Sequence, residues 1–339
     1  MCGIIAVLRR VSRRQPPKPE QLLSLLTEAE GYLLGAPTTE HLDNATNALS
    51  QLNSELRGVP GLWTLLENDQ LHSDLDTRCT TLHQQLGDLE QSFDANVAEQ
   101  DNISDHSLEQ RNQAMVRLKD ALWAVARDRL PHAHQVRELS GGVPPQSGGG
   151  VPPQSSNGKL PHSMSAAAFS SLQLALSALD RLEVRGRDSA GISVVVSGLD
   201  TGTLSSLLQG RTNDKLFTNA SVRLADGNLN FVYKHAAEIG ELGDNVRALR
   251  QSIINDKLLQ AAFRQENVQS LVLGHTRWAS VGIISQPNAH PLNNEELGEE
   301  TGPYVIGALN GDVDNHHDLV TQHGLELHNA ITTDAKVIP

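Results

Sequence analysis

Aromatic side chains are scarce in this sequence, 3% of 339 residues, so an apolar fraction of 38% leaves the core mainly to aliphatic residues. Long apolar runs are missing too: none approaches the ~18–20 residues needed to cross a bilayer. A secretory signal is excluded by order, because Arg9, Arg10, Arg13 and Arg14 follow the first apolar run and do not precede it. Two cysteines, Cys2 and Cys79, are too few for a disulfide framework and fit a reducing cytoplasm. Positive charge is also in deficit, 27 Lys and Arg against 40 Asp and Glu for a net charge of −13. That balance argues against a nucleic-acid surface, which needs clustered Lys and Arg. An anionic substrate must therefore meet a local arginine.

What is present begins with Met1-Cys2-Gly3-Ile4. If Met1 is removed, Cys2 becomes the N-terminus and carries both a nucleophile and a base. A free α-amino group titrates near pH ~8 and a thiol near ~8.5, so near neutrality the amine can take the thiol proton. Gly3, lacking Cβ, lets other backbone approach the sulfur. Alone, these residues also read as an apolar strand from Cys2 to Leu8 with an inert buried thiol. A lipidated anchor, Cys2 followed by the basic cluster, is a further reading that explains the first fourteen residues only.

Two later segments change the balance. Arg185-Gly-Arg-Asp188-Ser-Ala-Gly191 ends a helical pattern and enters the strand Ile192 to Val196; Gly274-His-Thr-Arg-Trp-Ala-Ser-Val-Gly282 follows a short strand, Leu271 to Leu273. Together with the Met-Cys-Gly-Ile start, in this order, they resemble the signatures of class II glutamine amidotransferases. The glutaminase domain of that family is an N-terminal-nucleophile hydrolase, and the closest forms are those of glutamine:fructose-6-phosphate aminotransferases. The resemblance covers about residues 2–10 and 165–339.

It implies an α+β fold, a four-layer αββα sandwich, incomplete at its C-terminus and carrying an inserted all-α bundle. The glutaminase part would comprise 2–14 and 164–339. Between them, apolar stripes at helical spacing (Leu22 to Leu33, Leu42 to Leu56, Leu71 to Phe93, Met115 to Val125) predict four antiparallel helices over 15–130, with Cys79 in their core and Gly58 to Gly61 and Pro131 as boundaries. Residues 131–163 read as a linker with the direct repeat Gly141-Gly-Val-Pro-Pro-Gln-Ser147 and Gly149-Gly-Val-Pro-Pro-Gln-Ser155. A helix from Ala166, strands at Leu229 to Lys234 and Tyr304 to Leu309, and a helical stretch from Asn245 to Phe263 complete the pattern.

The same resemblance assigns roles. Cys2 is the nucleophile and, through its amino group, the base. Arg277 would clamp the glutamine α-carboxylate with its planar fork, Ser280 would support that carboxylate, and Trp278 would lie on a loop closing over glutamine. Asp334, in Thr332-Thr-Asp, would meet the α-ammonium. Asn310 and Gly311 would form the oxyanion hole, and Asn288-Ala-His-Pro291 precedes them at the family's spacing from Gly282. Arg185 and Asp188 would brace the site. Val281, Leu292 and Leu309 stand where the family usually has histidine, which puts glutamine affinity or coupling to a second site in doubt. The chain stops a few residues past Asp334, so it reads as a truncated product or fragment of a larger, homo-oligomeric synthase. Fructose 6-phosphate would bind only through C-terminal domains outside it, and no metal or organic cofactor is implied. Amidophosphoribosyltransferase is the nearest enzymatic alternative, but its motifs usually carry Glu for Asp188 and Tyr for Trp278. An inactive remnant whose helices bind a partner is the non-enzymatic one.

Overall fold

From residue 22 onward, runs of leucine and alanine at helical spacing dictate helices with one apolar stripe, and helices form there. This computed structural model describes residues 2–99, 105–141, 162–237, 241–297 and 303–339. The described residues fall into two compact units, one within Ser12–Arg137 and the other within Met1–Val11, Glu138–Gly142 and Leu160–Pro339. The second contains β1 (Gly3–Leu8); the first begins with α1 (Pro19–Tyr32) and α2 (Thr39–Glu55), which pack on each other. Pro19 opens α1 at the one place where its missing N–H is harmless. Thr38 caps α2: its Oγ1 accepts from His41 N, and the His41 ring accepts from Thr38 N, both at 3.3 Å.

Next come α3 (Gly58–Glu67), α4 (Asp69–Glu99) and α5 (Asp105–Trp123), then a π-helical stretch, Ala124–Arg129, that leads into α6 (Leu130–Leu139). α2 ends at Glu55, just before the expected Gly58 to Gly61 boundary, although a further helix starts there; the boundary expected at Pro131 fails. The Gly58 to Gly61 boundary is the first turn of α3, where Pro60 is tolerated and Leu62 and Leu65 supply a buried face. Pro131 does not end the last helix. In the widened turn Leu130 N–H reaches back to Val125 O, and the proline ring follows within the next turn. Helix thus extends to Leu139, into the stretch read as linker; the repeat, apart from Gly141, lies outside the described residues. Cys79 is fully buried, and burial pushes its thiol up to about 12, with Asp76 and Glu30 adding to the effect.

In the other unit, α7 (Ser163–Leu182) leads to β2 (Ser189–Ser197), the short α8 (Ser205–Leu208), β3 (Val222–Ala225), β4 (Asn228–Ala236), α9 (Asp244–Asn255), α10 (Lys257–Ala262) and β5 (Gln269–Arg277). The five strands form one antiparallel sheet in the order β1-β5-β2-β4-β3. One face takes α7 and α9, with Phe169, Leu172, Leu176 and Leu179 buried and Phe169 edge-on to Phe263 at 4.9 Å between ring centroids. An α+β architecture is therefore observed. Beyond it lie a two-stranded ladder of β6 (Leu292–Asn293) and β7 (Ile306–Gly307), and α11 (His316–His323).

Several boundaries differ from the pattern in the sequence. The hairpin partner β3 was hidden behind an Asp226-Gly227 turn, both residues with positive φ, 51° and 75°. The helical stretch after Asn245 breaks at Asp256, whose carboxylate caps α10 through Leu258 N and Leu259 N and pairs with Arg211. The strand expected over Tyr304 to Leu309 shrinks to β7, and β5 continues through His275, Thr276 and Arg277, so the second motif starts on a strand. Among the described residues no helix is long and apolar enough to cross a membrane.

Lys234 on β4 is 2% exposed, its Nζ has no hydrogen-bond partner among the described residues, and it stands 5.1 Å from the Phe217 ring centroid. Burial, with nearby Lys336, lowers its pKa to about 7, while Asp214 opposes the shift. An unfolded lysine titrates near ~10.4. Between those values the unfolded chain holds a proton that the folded chain releases, so stability rises with pH through this window and the gain is absent below it. Urea unfolding at pH 7.5 and 9 should show up to about 2 kcal/mol more gain for the native sequence than for Lys234→Met. Equal gains would mean that Lys234 is not held neutral by the fold.

Candidate active site

The site begins with strand pairing. In the β1–β5 ladder Gly3 stands opposite Thr276 and Ile4 opposite His275. This register carries Cys2, one residue further, to the end of β5 where Trp278 follows. Trp278 N–H donates to Cys2 Sγ at 3.4 Å, and the thiol lies 3.7 Å from Trp278 O. Gly3 N–H donates to Thr276 Oγ1 at 3.2 Å, and that hydroxyl donates in turn to Leu182 O at 3.3 Å. What crowds Gly3 is therefore the side chains of Leu182 and Thr276, where the sequence suggested backbone near the sulfur. Cys2 itself is half-buried, and its backbone N–H donates to Asn310 Oδ1 at 3.1 Å. That nitrogen is a peptide N–H because Met1 precedes it; it stands in for the α-amino group that Met1 removal would create.

Beyond β5 the chain turns around Arg277, which is 4% exposed. Its Nη1 donates to Ile283 O at 3.2 Å and its Nη2 to Val281 O, so its own loop takes one hydrogen from each outer nitrogen. Burial lowers the guanidinium pKa, against the attraction of Cys2, Asp188 and Asp334. Of the five N–H donors of a guanidinium, two are thus engaged among the described residues. Asp188 fixes this turn from the other side: its N–H donates to Arg277 O at 3.1 Å and its Oδ2 accepts from Ala279 N at 2.7 Å. Trp278 is 60% exposed. Ser280 Oγ donates to Asp312 Oδ1, an acceptor that no motif had singled out.

The Thr332-Thr-Asp segment joins from the C-terminal side. Asp334 is 4% exposed; its Oδ2 accepts from Val313 N at 2.6 Å and its Oδ1 from Thr333 Oγ1 at 3.4 Å. Asn288 holds the preceding backbone, its Oδ1 accepting from Thr332 N at 2.7 Å and Thr333 N at 2.9 Å. Lys336, 5% exposed, reaches Glu295 O at 2.8 Å and Asn293 Oδ1 at 3.1 Å and ties the segment to β6. Cys2, Trp278 and Asn310 are thus linked directly, and Arg277, Ser280, Asp188 and Asp334 are linked through the loops beside them. Gly311 follows Asn310 and is exposed. Arg185 is exposed and, among the described residues, makes no hydrogen bond or ion pair with the cluster.

The motifs by themselves point to no role for His275, His290, Thr276, Asn288, Asp312 or Lys336. All but Asp312 and Lys336 lie inside quoted motifs, so the signal was present; only their contacts were missing. Of the three positions that depart from histidine, Leu292 is buried in β6 opposite Gly307, and Leu309 has both backbone polar groups engaged by His275 and His290. Among the described residues no three His, Cys, Asp or Glu side chains are placed to share a metal ion.

The chain is 28% identical over 166 residues to the glutamine–fructose-6-phosphate aminotransferase (isomerizing) of Staphylococcus epidermidis, a match covering 49% of this chain and 19% of that protein. The enzyme of the same name from Synechocystis matches at 25% over 174 residues, 50% of this chain and 19% of the relative. A second bovine form matches at 25% over 144 residues, 42% and 16% of the two chains. The matched region thus spans about a fifth of the length of these relatives. No family model matches the chain, and no solved structure matches it.

Gly191 gives a test of how the site is packed. A Cβ there would stand 2.1 Å from His290 O, closer than any real contact, so the backbone around His290 reaches β2 only because residue 191 is glycine. Gly191→Ala should cost about 1–3 kcal/mol in chemical denaturation. An unchanged midpoint would mean that the 288–291 loop does not press on β2 in solution.

Proposed function

We propose that this chain is the glutamine-hydrolysing part of a class II amidotransferase of the glutamine:fructose-6-phosphate aminotransferase type, with Cys2 as N-terminal nucleophile on an αββα fold. The observation that carries the reading is the meeting of three sequence-remote motifs at one residue: Cys2 Sγ against Trp278 N–H at 3.4 Å, and Cys2 N against Asn310 Oδ1 at 3.1 Å. With Met1 removed, the α-amine takes the thiol proton and sulfur attacks the side-chain amide carbon of glutamine. The C–N bond breaks, the amine returns the proton to the leaving nitrogen, and ammonia and a γ-glutamyl thioester result. Water then attacks the thioester carbon, glutamate leaves and the thiol is restored. Because Asn310 Oδ1 accepts from Cys2 N, its amide Nδ2 is the end left to donate to the oxyanion, beside the Gly311 N–H.

In this reading Arg277 holds the glutamine carboxylate with Ser280 and Trp278 beside it, Asp334 holds the ammonium, and Asp188 keeps the Arg277 turn in place. Arg185 has a lesser part, given its exposure. Residues 15–139 form an inserted helical module, the stretch between it and α7 its tether, and the chemistry needs neither. Transfer of ammonia to fructose 6-phosphate, giving glucosamine 6-phosphate, is assigned by analogy with the named relatives to the remainder of such a homo-oligomeric enzyme. A second reading, an inactive remnant that serves as a binding module, draws support from Ser280 being taken by Asp312 and Arg277 by its own loop.

Ammonia release from glutamine separates the two. The hydrolase reading expects turnover that Cys2→Ala abolishes and Cys79→Ala leaves intact. Arg277→Lys should raise KM for glutamine at least about tenfold, since lysine lacks the bidentate fork, with alkylation of Cys2 by iodoacetamide changed less than about threefold. No turnover by the protein with a free Cys2 N-terminus would favour the remnant.

A further inference from the structure

Leu309 immediately precedes Asn310-Gly311, and both of its backbone polar groups end on histidine. Its N–H donates to His290 Nδ1 at 3.1 Å, and its carbonyl accepts from His275 Nε2 at 3.0 Å. A backbone amide can only donate and a carbonyl can only accept, so these contacts fix both tautomers. His275 carries its proton on Nε2, and His290 offers the Nδ1 lone pair. The rings stack, 4.4 Å between centroids and 19° between planes, and are 0% and 4% exposed.

Each ring comes from a different part of the fold. His275 belongs to β5, opposite Gly191 of β2 and Ile4 of β1. His290 sits on the loop before β6, with its carbonyl against Gly191. Stacking one ring on the other therefore joins the sheet to that loop, and Leu309 is held where they meet. Neutral rings are what such a stack requires. Burial lowers His275 to about 4, assisted by Arg277 and opposed by the Leu309 bond. It lowers His290 to about 2, assisted by His275, Arg277 and Lys234.

We propose that His275 and His290 act as a positioning clamp: two stacked neutral imidazoles grip the Leu309 peptide groups and thereby set the Asn310 amide and the Gly311 N–H against Cys2. Neither ring touches the substrate; both act through the oxyanion donors. This rests on the reading of the chain as a glutamine hydrolase. A reacting geometry displaced by an ångström loses about a hundredfold in rate, while the substrate's charged ends bind elsewhere. The clamp therefore acts on kcat and leaves KM alone.

Four variants of the full chain test it. His290→Leu and His275→Leu remove the acceptor and the donor. His290→Asn keeps an oxygen near the place of Nδ1, and His275→Gln keeps an N–H near the place of Nε2. Both leucine variants should lose about 10- to 100-fold in kcat for glutamine, with KM and the rate of Cys2 alkylation by iodoacetamide within about threefold. The amide variants should recover at least about tenfold of that loss. Leucine variants that keep kcat, or amide variants no better than leucine, overturn the clamp. Nitrogen-15 spectra of the histidine rings in the unsubstituted chain give a reading independent of turnover and of whether a variant folds. Neutral rings protonated on Nε2, with His290 Nδ1 accepting from the Leu309 amide, support the proposal; a proton on either Nδ1 overturns it. If the unsubstituted protein releases no ammonia, the hydrolase reading fails, and these spectra still decide whether the Leu309 grip exists.

Discussion

The edge strand β1 must pair with β5 in one register, and the remainder of the site depends on it. A slip of one residue would reverse every side chain of β1 and move Cys2 away from Trp278. Both ends of the strand are pinned against such a slip. At the start, Gly3 N–H bonds Thr276 Oγ1, and a Cβ at residue 3 would lie 2.7 Å from Leu182 Cβ. At the end, Arg9 donates to Ser171 Oγ at 2.8 Å and Ser170 Oγ at 2.9 Å on α7. An edge position also leaves Cys2 half-buried and open to a reactant, a condition that the buried Cys79 does not meet.

Around the thiol, charged side chains are held by backbone groups. Arg277 donates to two loop carbonyls, Asp188 and Asp334 accept backbone N–H groups, and Lys336 donates to two more carbonyls. Such bonds fix a loop as well as its side chain. They meet part of the cost of burying an ion. The loops after β5 and before α11 are thereby made part of one hydrogen-bonded frame, although they carry little regular structure of their own.

The motifs were legible because chemistry restricts residue type: a thiol next to the first residue, His-Thr-Arg-Trp, Asn-Gly and Thr-Thr-Asp each stood out. Helical stripes were legible as well, since period 3.6 needs no tertiary context. What escaped was set by contacts. Pro60 and Pro131 looked like helix breakers, yet one lies in a first turn and the other just beyond a π-helical widening. Asp256 interrupts a helical pattern because its carboxylate serves Arg211 and the next helix at once. His290 served only as a marker of spacing, because nothing in a linear pattern reveals that its ring stacks on His275. Ser280 kept its hydroxyl in the sequence, but its engagement by Asp312 depends on how two loops meet.

The central claim is that Cys2, freed at its amino group, is the nucleophile. Intact-mass analysis of the protein after exposure to a diazo-ketone analogue of glutamine tests it directly, with peptide mapping to place the adduct. The expected product is a chain lacking Met1, carrying one adduct on Cys2 and none on Cys79, with excess glutamine slowing the labelling. Retained Met1, or an adduct on Cys79 with Cys2 untouched, would contradict it.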